Sequence, residues 1–175
     1  MVMTLARLRD ELVDREAIRD CLYRYARGVD RCDEEMLRSA YWEDAVDDHM
    51  EFSGTREEFL AYALPGLRQM DQRQHIIANI LIRIDGAQAD VESYFYGYQR
   101  IRGADGKPRD YVGAGRYLDR FARRDDEWRI ARRYVMTDWF REYDDSADWA
   151  GGFLGLRVDP GAQHPDDRSY AMLKI

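Results

Sequence analysis

The chain has 175 residues, 45% hydrophobic and 35% charged, which is enough for one globular domain and too few for two catalytic domains. Its net charge of −7 repels polyphosphate and so excludes nucleic acid as an expected partner. No apolar run approaches the roughly 20 residues of a membrane helix, and the start MVMTLARLRDELVDRE lacks the apolar stretch of a secretory signal, so no membrane partner and a cytoplasmic location are expected.

From Leu5 the apolar residues Leu8, Leu12, Ile18, Cys21, Leu22, Tyr25 and Val29 recur at three- and four-residue steps, predicting a helix with one buried face; Asp14 is a candidate start for a second segment. Cys21 and Cys32 are read as buried thiols, since two cysteines build neither a disulfide framework nor a thiolate metal site. Asp33, followed by Glu34 and Glu35, predicts the cap of a short helix running to about Tyr41, which leaves Asp30 between two helices. Thr55 and Glu58 form a capping box for a third helix, interrupted by Pro65 and Gly66 and ending near Asp71. From His75 the β-branched run HIIANILIRI predicts a strand covered on both faces, closed by a turn at Asp85 and Gly86. Strands over about 89–102, 109–123 and 128–139, separated by GADGKP and by Asp125 and Asp126, complete an antiparallel meander.

Helices first and sheet afterwards predict an α+β domain over residues 1–142, with three N-terminal helices on a curved, mostly antiparallel sheet and room for a cavity between them. Residues 143–175, with Gly151, Gly152, Pro160, Gly161 and Pro165, read as an irregular extension over the pocket or a subunit interface, with Trp149, Phe153 and Leu154 suited to a lid.

The segments RYARGVDRCD, RQHIIANILIRIDG and GRYLDRFARRDDEWRIARR, in this order, resemble the SnoaL-like branch of the NTF2-like (cone-shaped α+β barrel) superfamily, within it scytalone dehydratase and the hexachlorocyclohexane dehydrochlorinases. The resemblance spans about residues 10–140. In catalytic members an Asp at the end of the first long helix orients a His at the start of the first long strand, and Asp30 and His75 occupy those places. Where scytalone dehydratase has a Tyr before the Asp, this chain has Val29. For the other residues of that enzyme's water site the approximate counterparts are His49, Tyr94, Gly115 and Tyr117.

An imidazole held by a carboxylate is a general base near neutral pH, so the expected catalytic pair is His75 with Asp30. Alone, Asp30 also reads as an ordinary helix-end residue and His75 as a hydrogen-bonded strand residue. Tyr94, Tyr96 and Tyr98 share one strand face, and either line the pocket or form an aromatic ladder on the outside. Tyr117 shares a face with Gly113 and Gly115, which either leave room for a ligand or curve the sheet. Tyr41, Trp42 and His49 follow the second helix, where a phenolic or imidazole acid would meet a leaving group; core packing explains Tyr41 and Trp42 equally well. A metal reading of Val46–His49 is set aside, because adjacent strand residues point opposite ways and no second ligand cluster follows; Asp47, Asp48 and Glu51 are expected to be solvated. Seven arginines, Arg116, Arg120, Arg123, Arg124, Arg129, Arg132 and Arg133, are expected to pair with acids or face a partner, one inward Arg being suited to a substrate anion.

The expected function is a cofactor-independent lyase, of dehydratase, elimination or deformylating type, or an isomerase, with a small aromatic or polycyclic substrate and no metal. One version is a deformylating lyase of lignin-derived diaryl compounds. The alternatives are a non-catalytic binding protein and the small subunit of a ring-hydroxylating dioxygenase. A homodimer or homotrimer is expected, because a curved open sheet leaves its outer face to be covered.

Overall fold

The structure, a computed structural model, describes residues 4–144, 152, 156 and 161–174. The first apolar stripe folds as one helix, α1 (Leu5–Arg31), that runs through Asp14 without a break. Asp14 instead accepts a hydrogen bond from the Trp128 indole at 2.8 Å, tying the helix to the sheet. The buried part of the stripe starts at Ile18 and continues through Cys21, Leu22, Tyr25 and Val29, while Leu5, Leu8 and Leu12 are exposed. Both cysteines are buried and free.

Asp33 caps α2 (Glu34–Ser39) by accepting from the Met36 amide at 3.0 Å. That helix stops short of Tyr41, which opens β1 (Tyr41–His49), paired antiparallel with β2 (Phe52–Thr55). The capping box forms, with the Thr55 amide donating to Glu58 at 2.8 Å, and α3 (Arg56–Gln69) continues through Pro65. Proline removes one amide donor there, and the helix holds because Phe59, Leu60, Leu64 and Leu67 pack into the core on either side of it.

The meander is β3 (Gln72–Asp85), β4 (Gln88–Arg102), β5 (Pro108–Arg124) and β6 (Glu127–Asp144). Among the described residues the sheet has six strands in the order β2-β1-β6-β5-β4-β3, with β1 parallel to β6, and its curve does not close. The hairpin β1–β2 adds to the expected four strands, since its run of acids hides a short alternating pattern. And β3 is an edge strand rather than one covered on both faces: Ile76 and Leu81 are 53% and 65% exposed, and a register shift at Asn79 (φ 47°) interrupts its alternation.

The helices cover the concave face, and the core lies between them and β4, β5 and β6. Gly28 permits the closest approach, because a Cβ there would lie 2.7 Å from the Leu37 backbone nitrogen on α2. At Gly115 the space a side chain would take is filled by the Met136 carbonyl and the Phe95 ring, so this glycine serves sheet packing rather than a ligand.

The described part of the tail, with α4 (Arg168–Met172), packs on the helix ends: the His164 amide donates to the Arg31 carbonyl and the Tyr170 hydroxyl to Asp33. Trp149, Phe153 and Leu154, the expected lid, lie outside the described residues. Among the described residues, no helix is long and apolar enough to cross a membrane.

Replacing Gly28 with Val is expected to destabilise the protein by about 3 kcal/mol, read as a lower denaturant midpoint, because its side chain must displace the α2 backbone. A second expectation concerns Asp167, whose carboxyl is lowered to about 2 by the Ser169 hydroxyl and then by the Ala162 and Ser169 amides and Arg31. A depressed carboxyl stabilises the docked tail above the ordinary aspartate value of about 3.9, and the stabilisation is lost as pH falls through the folded value. The amide NMR signals of residues 167–172 should therefore keep their docked shifts at pH 5 and collapse towards coil values near pH 2, ahead of those of β5.

Candidate functional site

Asp30 lies in the last turn of α1 and His75 near the start of β3. One carboxylate oxygen of Asp30 lies 2.7 Å from His75 Nδ1, and the other accepts the His75 backbone amide at 2.9 Å. This double contact fixes both the ring and the strand that carries it. An ionised carboxylate is an acceptor only, so Nδ1 carries the proton and Nε2 is left as the basic atom. The His75 ring sits over Gly97 of β4, where a Cβ would stand 3.6 Å from Nε2.

Arg73, two residues before His75, braces this junction. It is 4% exposed and donates to the Val29 carbonyl at 3.0 Å and the Leu67 carbonyl at 2.6 Å, the open ends of α1 and α3.

His75 lines a cavity with two lobes. One, of about 230 Å³, lies over the sheet against Phe95, Tyr111, Tyr117, Val135 and Phe140. The other, of about 370 Å³, lies under the helices against Tyr25, Phe59, Tyr62, Leu67 and Met70. His49, Met50, His75 and Gln99 line both, so two of the chain's three histidines stand where the lobes meet. A separate depression of about 340 Å³ reaches the other side of the pair beside Tyr23, Arg27 and Arg31. Another groove, about 570 Å³, runs over the outer sheet face past Leu81, Glu92, Arg120 and Tyr134 and holds neither histidine.

Behind the cavity, Arg133 and Asp119 form a fully buried pair with two contacts of 2.7 Å. The guanidinium lies 4.0 Å from the Tyr25 ring centre and 4.1 Å from that of Tyr117. Burial opposes its charge, but Asp119 and the surrounding phenols outweigh it and hold the Arg133 pKa well above the usual value. Burial also raises the Tyr25 hydroxyl to about 12, and those of Tyr41 and Tyr117 well above their usual value. These phenols remain protonated donors across the physiological range.

Of the sequence-predicted site residues, the structure brings His75, Asp30, His49 and Tyr117 together. Tyr41 is wholly buried behind the cavity, its hydroxyl donating to Asp47 at 2.6 Å, and lines neither lobe. Trp42 lies away from it, donating to the Ala122 carbonyl at 2.9 Å between Arg124 and Arg129. Tyr94 and Tyr96 stand on the outer face, 40% and 46% exposed. The pairing of Gly97 with His75 decides this: odd-numbered residues of this part of β4 face the cavity, so the ladder reading of the tyrosines applies, with Tyr96 against Trp139.

Asp47 is the main omission. Expected to be solvated, it is 0% exposed, on the same face of β1 as His49 two residues on; Asp48, with the opposite parity, pairs outward with Arg132. That i, i+2 spacing was the available signal. Among the described residues no third His, Cys, Asp or Glu joins Asp47 and His49 as a metal cluster. Of the seven arginines only Arg133 is buried; the others pair with acids nearer the surface, as Arg116 does with Asp138 and Arg124 with Asp44.

The SnoaL-like domain pattern matches residues 10–134. The chain belongs to the SnoaL-like domain family. Its fold is similar to that of a protein named for scytalone dehydratase from Novosphingobium aromaticivorans, at 22% identity over 89% of this chain and 95% of that one, with a TM-score of 0.68. It is similar too to the hexachlorocyclohexane dehydrochlorinase of Novosphingobium barchaimii, at 18% identity over 86% and 97%, TM-score 0.67. A third likeness, at 23% identity over 75% and 93% with a TM-score of 0.57, is to the β subunit of a protein named as an aromatic-ring-hydroxylating dioxygenase from N. aromaticivorans. At these identities the likenesses establish the NTF2-like fold. No curated protein matches the sequence.

The buried pair yields its own test. Arg133→Met alone should cost about 3–5 kcal/mol in a denaturant titration, because Asp119 is left uncompensated, and the double variant Arg133→Met with Asp119→Leu should recover most of that loss.

Proposed function

We propose that the protein is a cofactor-independent lyase, of elimination or deformylating type, or an isomerase, acting on a small aromatic or polycyclic compound. The observation that carries this reading is the Asp30–His75 pair at the meeting point of two aromatic-walled lobes. His75 Nε2 takes the proton of an activated C–H bond, and Asp30 stabilises the imidazolium that forms. The C–H electron pair becomes a new double bond while a leaving group departs, or the proton returns to another carbon and the substrate is isomerised. Neither course changes the oxidation level of substrate and products together, so no redox partner is required.

The two lobes taken together fall in the usual range for small-molecule sites and are walled mainly by rings and aliphatic side chains, which suits a substrate with an aromatic ring in one or both. A diaryl compound carrying a hydroxymethyl group is one such substrate: His75 then takes the O–H proton, the C–C bond breaks to release formaldehyde, and its electron pair forms the new C=C bond as hydroxide leaves the neighbouring carbon. Tyr117 and Tyr25, kept protonated by burial, serve as hydrogen-bond donors and packing surfaces rather than acids.

The test is turnover of a panel of aryl compounds carrying a hydroxyl or halide β to an acidified C–H bond, followed by ultraviolet absorbance of the conjugated product. His75→Ala should lose at least about 10³-fold in kcat/KM with the circular dichroism spectrum retained. Asp30→Asn should lose a similar factor, because an amide no longer enforces the tautomer with Nε2 free. Full activity in His75→Ala overturns the mechanism. An aromatic bound tightly by the wild type and always returned unchanged would mark the protein as a binding protein instead.

A further inference from the structure

The proposed elimination leaves one role empty, that of the group that gives a proton to the departing atom. We propose that His49 is this general acid and that Asp47 positions it. The inference rests on the lyase reading above and deepens it.

His49 ends the inner face of β1, and its ring stacks on Phe59 of α3 at 5.5 Å and an interplanar angle of 22°. It lines both lobes, as His75 does, so the two imidazoles reach the junction from different strands. His49 Nδ1 lies 3.5 Å from Asp47 Oδ1; both atoms are buried, and neither has another hydrogen-bond partner. Asp47 is held from behind by the Tyr41 hydroxyl at 2.6 Å on its other oxygen. A wholly buried carboxylate with one oxygen unpartnered is costly, and His49 Nδ1–H, 3.5 Å away and itself unpartnered, is a donor able to satisfy it. The present separation is long for a hydrogen bond, and catalytic contacts of this kind shorten when a ligand fills the site.

Around His49 stand Phe59 and Tyr62 from α3, Tyr117 from β5, and Asp47 and Tyr41 from its own strand, while Arg133 of β6 lies opposite Asp47 in the sheet and is paired with Asp119 of β5. The competing donors are weak: burial holds the Tyr25 hydroxyl at about 12 and those of Tyr41 and Tyr117 well above their usual value. A general acid works best with a pKa near the operating pH, where these phenols give little driving force.

His75 Nε2 accepts the C–H proton, the freed pair forms the C=C bond, the C–O bond breaks with its pair on oxygen, and His49 Nε2–H protonates that oxygen to release water. His75 passes its proton to solvent and His49 regains one.

The measurement uses a matched pair of aryl ketones with hydroxide or chloride β to the carbonyl, because hydroxide needs a proton to leave and chloride does not. His49→Gln should lower the ratio of water to chloride elimination by about 100-fold or more, and Asp47→Asn should lower it in the same direction by a smaller factor. His75→Ala should lose both reactions and leave no such bias. His49→Phe keeps the stack on Phe59 without a proton to give, and should repeat the bias if His49→Gln folds poorly. Equal slowing of both ketones in both His49 variants would reduce His49 to pocket lining and leave the lyase reading standing. Absence of wild-type turnover on this pair and on the wider panel would remove the lyase reading itself, and this role with it.

Discussion

The carboxylate of Asp30 is committed twice to one residue, to the ring and to the backbone amide of His75, and this ties the end of α1 to the edge strand of an open sheet. Arg73, on the same strand, satisfies a carbonyl at the end of α1 and another at the end of α3, so three elements meet within three residues of β3. Helix C-termini present unpaired carbonyls and a negative dipole, and a buried guanidinium answers both. The position of the candidate base is therefore set by the same contacts that seat the helices on the sheet. A substitution that loosened the junction would shift the ring of His75 along with the roof of the cavity.

The second fixed point lies deeper. Burying Arg133 costs solvation that Asp119 and three flanking phenols offset, yet a well-packed apolar pair would serve stability as well. What the ion pair supplies instead is a polar floor beneath an apolar cavity. Tyr41 and Asp47 extend that floor to His49, and Tyr25 and Tyr117 pack against Arg133 while also lining the lobes. The tyrosine-rich composition is thus divided between two uses. Some phenols build the wall and floor of the cavity, whereas Tyr94 and Tyr96 decorate the outer face.

The sequence made the helices and meander legible because both leave local marks: a 3.6-residue stripe, a capping box at Thr55, and turn residues between alternating runs. Asp30 and His75 were legible only through family resemblance, since 45 residues separate them and no local pattern links a helix end to a strand start. The face of Tyr94 and Tyr96 depended on which residue of β4 stands opposite His75, a register that only the folded sheet fixes. β1 and Asp47 were harder, because a strand written in acids reads as solvated loop. Its carboxylate at position 47 is tolerated inside only because Tyr41, on the same strand, reaches it.

Placing both imidazoles where the lobes meet constrains the chemistry more than either lobe does. A substrate confined to one lobe would bring its reacting bond to an end of the molecule, whereas one that spans both carries that bond in the middle, with a ring-sized group on each side. The two imidazoles are also held differently. Asp30, at the end of a helix, grips His75 through both its ring and its backbone amide, whereas Asp47 lies two residues from His49 on the same strand and is itself held by Tyr41. The first arrangement depends on α1 meeting β3 and the second on β1 alone, so the difference follows from the fold rather than from the histidines themselves.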